Sequence, residues 1–320
     1  MGGTLILTMI LGICLSTTEG VQDYKWERVT SAAPYQQGYN YPVFVLGDKM
    51  VALNNGAWLS KDGRNWTKSG LPDSGLNSAL LKYVQFDNSI VALGSMTGSY
   101  EKFTIYPRIL RTRDLEKWEV IGEKSNLPQR IFYSVAVFER KIWMFGGYDG
   151  ENYHNDVWNS ADGVNWSLVT RSAPWSPRIR PVVVVFKGEI WLLGGGVIDG
   201  HERKNPSSEK EAWVSRDGKI WRRANPDLKR KWRGTPVVFD DKLWLVGANR
   251  GGTFESAVWV TENGSNWTEL TAPWSPRGAV AAWVFENKLF MTGGKSSHEK
   301  DGDIRFVYSN DVWAMAWKGE

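Results

Sequence analysis

The chain has 320 residues and a formal net charge of +4, and with 42 % hydrophobic and 23 % charged residues its composition is globular rather than disordered. One Cys and three His exclude a disulfide framework and any Cys-rich zinc or iron–sulfur site, and no Lys/Arg run of the nucleic-acid-binding kind is present. The outlying number is 19 Trp, so the positions of the indoles are the first thing to explain.

Residues 5–15 form an apolar stretch of eleven, too short to cross a bilayer as a helix. Small and polar residues follow, with Thr18 and Gly20 at the small-residue positions of a signal-peptidase site. The expectation is a secretory signal over 1–20, removed to leave a mature chain of 21–320 in the periplasm or outside the cell. Ile13 before Cys14 is too bulky for a lipoprotein signal, and Ile6 stands where myristoylation needs Ser or Thr, so no membrane insertion is expected.

A repeat runs through the rest. Residues 58–66, 158–166, 213–221 and 259–267 each place two Trp eight apart around Ser or Thr, then Asp or Asn, then Gly. A fifth copy at 110–118 has Leu110 in place of the first Trp. Upstream of each lies an apolar hairpin pattern, as in 133–147, 182–195, 236–248 and 281–294, with weaker copies at 41–55 and 80–95. The second Trp recurs at 66, 118, 166, 221 and 267. A period near fifty with four short strand-like runs per unit predicts propeller blades. Strand ends at Asn54, Gly94, Gly147, Gly195, Gly247 and Gly294 give six blades, each a four-stranded antiparallel sheet in an all-β chain. The last unit stops after Trp313 with no second Trp at spacing eight. Residues 24–29, which match the pattern at 266–270, are expected to supply that strand and close the ring.

Paired glycines after an apolar strand, then Tyr148 and Asn155-Asp156-Val157-Trp158, resemble a kelch repeat. So do residues 173–178 ahead of the fourth hairpin, and 272–277. The resemblance spans 24–317 and implies the fold, while propellers of this kind carry many unrelated activities. The Ser-x-Asp-Gly-x-x-Trp turn is similar to the Asp-box hairpins of sialidase propellers, one residue shorter.

The tryptophans that recur at equivalent positions are expected to be framework. Trp175, Trp232, Trp274 and Trp283, near the entrances to innermost strands, are the candidates for ligand contact. Eight residues before the end of the innermost strand stand Arg130, Arg178, Lys231 and Arg277 in four consecutive blades, where the other two have Gly38 and Ser78. Arg180 and Arg233 lie close by. Such a rim suits a carboxylate, sulfate or phosphate. The same residues equally suit pairing with a loop acid or an aromatic of the next blade. The long connections 95–109, 197–212 and 295–311 belong to the same face. His154, His201, His298 and Arg250 fall in this face's connections and join the candidate binding residues. The histidines come from three blades without ligand spacing, so no metal and no cofactor are expected.

The expected function is a secreted binding module, monomeric, for a protein or an acidic carbohydrate, and not an enzyme. The alternative is a sugar-processing enzyme on an acidic monosaccharide, sialidase-like or similar to N-acetylneuraminate mutarotase, with Glu202, Glu209 or Glu211 beside Arg178. A sialidase's Arg-Ile-Pro motif is missing. A Cys-crosslinked Tyr as in copper oxidases has no Cys to use once the leader is gone.

Overall fold

The computed structural model describes residues 24–74, 80–99, 102–199, 202–204, 211–224, 234–250, 253–300 and 303–317. The expected leader, 1–20, lies outside them. Six antiparallel sheets of four strands make six blades, and no helix occurs among the described residues. In chain order the blades span 43–68, 82–122, 134–170, 182–224, 235–271 and 281–317. Their innermost strands, Val43–Leu46, Lys82–Phe86, Ser134–Phe138, Val182–Phe186, Thr235–Phe239 and Ala281–Phe285, stand around a central channel.

Local sequence sets each hairpin. Innermost and second strands are joined by two-residue turns such as Asp87-Asn88, Glu139-Arg140, Asp240-Asp241 and Glu286-Asn287, with both residues at φ between 44° and 56°. That left-handed pair matches the right-handed twist of the strands it connects. The turn between third and outer strands closes on itself. In the third blade Ser160 Oγ accepts from Gly163 N at 2.8 Å, and Asp162 Oδ1 accepts from Val164 N and Asn165 N at 2.8 and 2.7 Å. Trp166 Nε1 then donates to Gly163 O at 2.9 Å. The first, fourth and fifth blades repeat this with Trp66, Trp221 and Trp267. Burial alone raises the Asp62 carboxyl, but the Asn65 and Arg64 donors and the Ser60 hydroxyl bring it down to about 2.

The same turns lock neighbouring blades together. A Cβ added to Gly218 of the fourth blade would meet the Trp143 ring of the third at 2.1 Å, and one on Gly264 of the fifth would meet Trp191 of the fourth at 2.1 Å. Phe290 of the sixth blade approaches Gly63 of the first in the same way, at 2.8 Å. These aromatics sit five residues after the end of the innermost strand. Where the turn carries Leu115 instead of Gly, the facing residue in the first blade shrinks to Val51, and the two share one apolar cluster. Large meets small at these joints, whereas Gly163 of the third blade faces only Val91 of the second, at 3.6 Å, and Trp244 of the fifth meets Tyr24 of the sixth edge-on.

A backbone belt ties the innermost strands together on the face of the long connections. Asn40, Phe132, Arg180 and Ala279, each six residues before the end of an innermost strand, all adopt φ between 51° and 58°. Phe132 N donates to Leu80 O at 2.7 Å, Arg180 N to Phe132 O at 2.8 Å, and Asn40 N to Ala279 O at 2.9 Å, each link joining equivalent positions of successive blades.

The ring closes as expected. Tyr24–Thr30 pairs with Val312–Trp317 in the register Tyr24↔Trp317, Trp26↔Met315 and Arg28↔Trp313, making the outer strand of the sixth blade. Trp26 meets Trp274 edge-on at 4.7 Å, and Tyr24 reaches the fifth blade through Trp244, at 5.1 Å, and the Asp240 carboxylate. Deletion of 24–30 is expected to lower the melting temperature of the whole ring in a single transition, read by calorimetry. An unchanged transition would show that closure does not support the other blades.

Candidate functional site

The two faces of the propeller differ. One carries the tight turns just described. On the other, the second, fourth, fifth and sixth blades extend their middle strands into two-stranded ribbons: Ser89–Gly98 with Phe103–Thr112, Val197–Asp199 with Glu202–Lys204, Lys242–Arg250 with Thr253–Thr261, and Lys295–Lys300 with Asp303–Tyr308. The first blade has only the turn 54–56 at this place.

Three of the rim cations are buried and paired. Arg130 is 5 % exposed and grips Asp156 with two hydrogen bonds of 2.6 and 3.0 Å, while donating to Gly146 O. Arg178 is 0 % exposed and donates to Glu211 at 2.7 Å, Gly194 O at 2.7 Å and Ser176 O at 2.9 Å. Arg277 pairs with Asp311 at 2.5 Å and binds Ser275. Each acid also accepts the indole N–H of the following Trp: Asp156 from Trp158, Glu211 from Trp213 and Asp311 from Trp313. Burial raises the Asp156 carboxyl, but the Arg130 hydrogen bonds and charge outweigh it and hold the group below the usual carboxylate range. Of the two readings open for these arginines, the geometry is that of pairing with a loop acid.

The sequence carried a signal for this. The residue two before the first Trp is Asp156, Glu211 and Asp311 in blades with a rim Arg, but Gly56 and Arg108 in the two blades without a rim cation. The fifth blade couples Lys231 with Ala257. Lys231, His201, Trp232 and Arg233 lie outside the described residues, and of Arg250 only the backbone, at the end of Lys242–Arg250, is described.

The remaining candidates scatter. His154 Nε2 binds Asp149 at 2.7 Å, while His298 is exposed on the sixth-blade ribbon opposite Arg305. No group of three metal-binding side chains forms among the described residues. Trp175, Trp274 and Trp283 are buried. The first two stand edge-on against Trp221 and Trp26, and Trp283 stacks on Phe290.

What the channel mouth does present is Lys82, unremarked in the repeat because its blade is a weak copy. It begins the innermost strand of the second blade and lines a cavity of about 250 Å³ with Asn40, Val43, Thr235, Val280 and Ala282. Burial, with the charge of Arg180 beside it, pushes its ammonium down to about 8. No carboxylate pairs with Lys82 among the described residues. Arg180 is exposed, its guanidinium 3.9 Å over the Phe132 ring and its backbone held in the belt. Farther out, Lys295 Nζ lies 4.7 Å from both the Tyr39 and Phe306 rings, with Tyr39 stacked on Tyr308 at 5.5 Å.

Comparison with known proteins adds the family. The model of the DUF6242 β-propeller domain matches residues 12–259. The chain belongs to the DUF6242 β-propeller family. Among solved structures this DUF6242 propeller is similar to that of YjhT, with a TM-score of 0.69 at 13 % identity over 90 % of this chain and 97 % of that one. That likeness is one of fold. A search of curated proteins returned no match to the DUF6242 chain.

Proposed function

We propose that this propeller, its repeats of the kelch kind, is an exported recognition module that binds an acidic carbohydrate at the mouth of its central channel. One observation carries the reading: a lysine in a cavity at the channel mouth, beside a second cation and with no carboxylate partner among the described residues. A half-buried ammonium held without a counter-ion is disfavoured by desolvation, and an incoming carboxylate supplies what it lacks. Arg180 adds a planar donor suited to the same group. Arg130, Arg178 and Arg277 serve as the frame behind the mouth.

Screening an array of acidic and neutral glycans tests this. Acidic members are expected to bind, and Lys82→Met is expected to weaken them about tenfold or more, the worth of one charge-assisted hydrogen bond of roughly 1.5–3 kcal/mol. Binding should also fade as pH rises through about 8, where the amine gives up its charge. The sign for folding runs the other way. A Lys whose folded value lies below its unfolded 10.5 costs stability below about 8, and that cost is relieved as pH climbs. Lys82→Met is therefore expected to fold at least as stably as the parent at neutral pH. Binding indifferent to both the substitution and pH would overturn the reading. NMR of any ligand found separates it from a sugar-processing enzyme, which would show anomeric exchange or cleavage.

A further inference from the structure

We infer that the channel-mouth cavity continues into a neutral-sugar subsite over the seam between the first and second blades, so that the ligand is an acidic oligosaccharide with its charged terminal unit at Lys82. The inference rests on the channel-mouth reading for its charged end.

A second cavity, of about 270 Å³, lies over that seam and is lined by Gln36, Gln37, Asn55, Asp73, Tyr83 and Trp118 among others. Tyr41 and Tyr83 form walls of both cavities. Small-molecule sites run to roughly 300–1,000 Å³, a range that neither cavity reaches alone and the two reach together.

The sequence explains why space opens here. Eleven residues before the end of the innermost strand, other blades carry a plug: Tyr35, Trp175 and Trp274. Each meets the indole of an outer strand edge-on, at 5.3, 4.5 and 4.7 Å. At the matching place in the sequence, eleven residues before Phe86, stands Gly75, a residue type with no side chain to supply such a ring. The first blade's short turn at 54–56 also raises no ribbon beside the opening.

The lining suits a neutral, hydroxyl-rich unit. Gln37 and Asn55 are exposed side-chain amides able to donate and accept at once. The Tyr83 and Trp118 rings, 6.1 Å apart, give the cavity aromatic walls. Among the described residues that line it there is no Lys or Arg, and Asp73 disfavours a second anion. Charge thus separates along the site, with cations at the channel and an acid in the groove.

The test is calorimetric titration with uronic and sialic acids, each as the free monosaccharide and as the terminal unit linked to a neutral hexose. The proteins are the parent, Lys82→Met, and the double variant Gln37→Ala/Asn55→Gly, in which Gly keeps the φ of 50° at position 55. Extension by one hexose is expected to tighten binding about tenfold in the parent, the worth of two hydrogen bonds. The double variant should lose that gain and keep the monosaccharide affinity. If extension gains nothing, or the gain survives in the double variant, the subsite is overturned while Lys82-dependent binding of the acid stands. If neither length binds, the channel-mouth reading itself falls and the subsite with it.

Discussion

Gly264→Ala is expected to destabilise the propeller by about 2–5 kcal/mol. Two terms combine. At φ +76° the new side chain meets the steric penalty of the left-handed region, roughly 1–2 kcal/mol. Its Cβ would also stand 2.1 Å from the Trp191 ring, and overpacking of that kind costs about 1–3 kcal/mol or more. Gly188→Ala isolates the first term, because Gly188 has a φ of +73° and nothing within 4 Å. Denaturant unfolding of both variants should show Gly264→Ala as clearly the worse. Gly264→Ala combined with Trp191→Val should cost less than the two single changes added together, since the clash disappears with the ring. Equal losses at positions 188 and 264 would mean that the aromatic-on-glycine joint does not hold the blades together.

Arg178→Ala is expected to cost about 3–5 kcal/mol of stability and leave ligand affinity within twofold at a temperature where the variant is folded. Its guanidinium satisfies two carbonyls and the Glu211 carboxylate in a fully buried position. Removing one partner of a buried pair leaves the other charge uncompensated, which accounts for that size of loss. Arg178→Ala combined with Glu211→Ala should be milder than the single change predicts by addition. Weakened binding in a variant with undiminished stability would put Arg178 against the ligand instead of in the frame.

The fold was legible because its framework is written in large, widely spaced residues. Trp66, Trp166, Trp221 and Trp267 bond the turn glycine three residues earlier, so the motif and the hairpin are one object. The orphan strand at 24–29 was legible for the same reason, since an incomplete copy at one end needs a complement at the other. The site was harder. Alignment by repeat finds residues that recur, and Arg130, Arg178 and Arg277 recur because each completes a triad with an acid and an indole. Lys82 is absent from such an alignment because it belongs to a single blade. Its surroundings come from residues far apart in sequence, Asn40, Thr235 and Val280 among them. Only the closed ring brings them to one cavity.

Closure by the first described strand also has a consequence in time. The partner of Tyr24–Thr30 is Val312–Trp317, at the other end of the described chain. A ribosome makes the former well before the latter, so this segment waits while the five blades between them are made, with no sheet to join. An amphipathic strand bearing Tyr24 and Trp26 and lacking a neighbour is an aggregation hazard for as long as the wait lasts. The propeller therefore has its slowest encounter built into its topology, and conditions that hold nascent chains apart should raise its yield more than conditions that stabilise the finished ring.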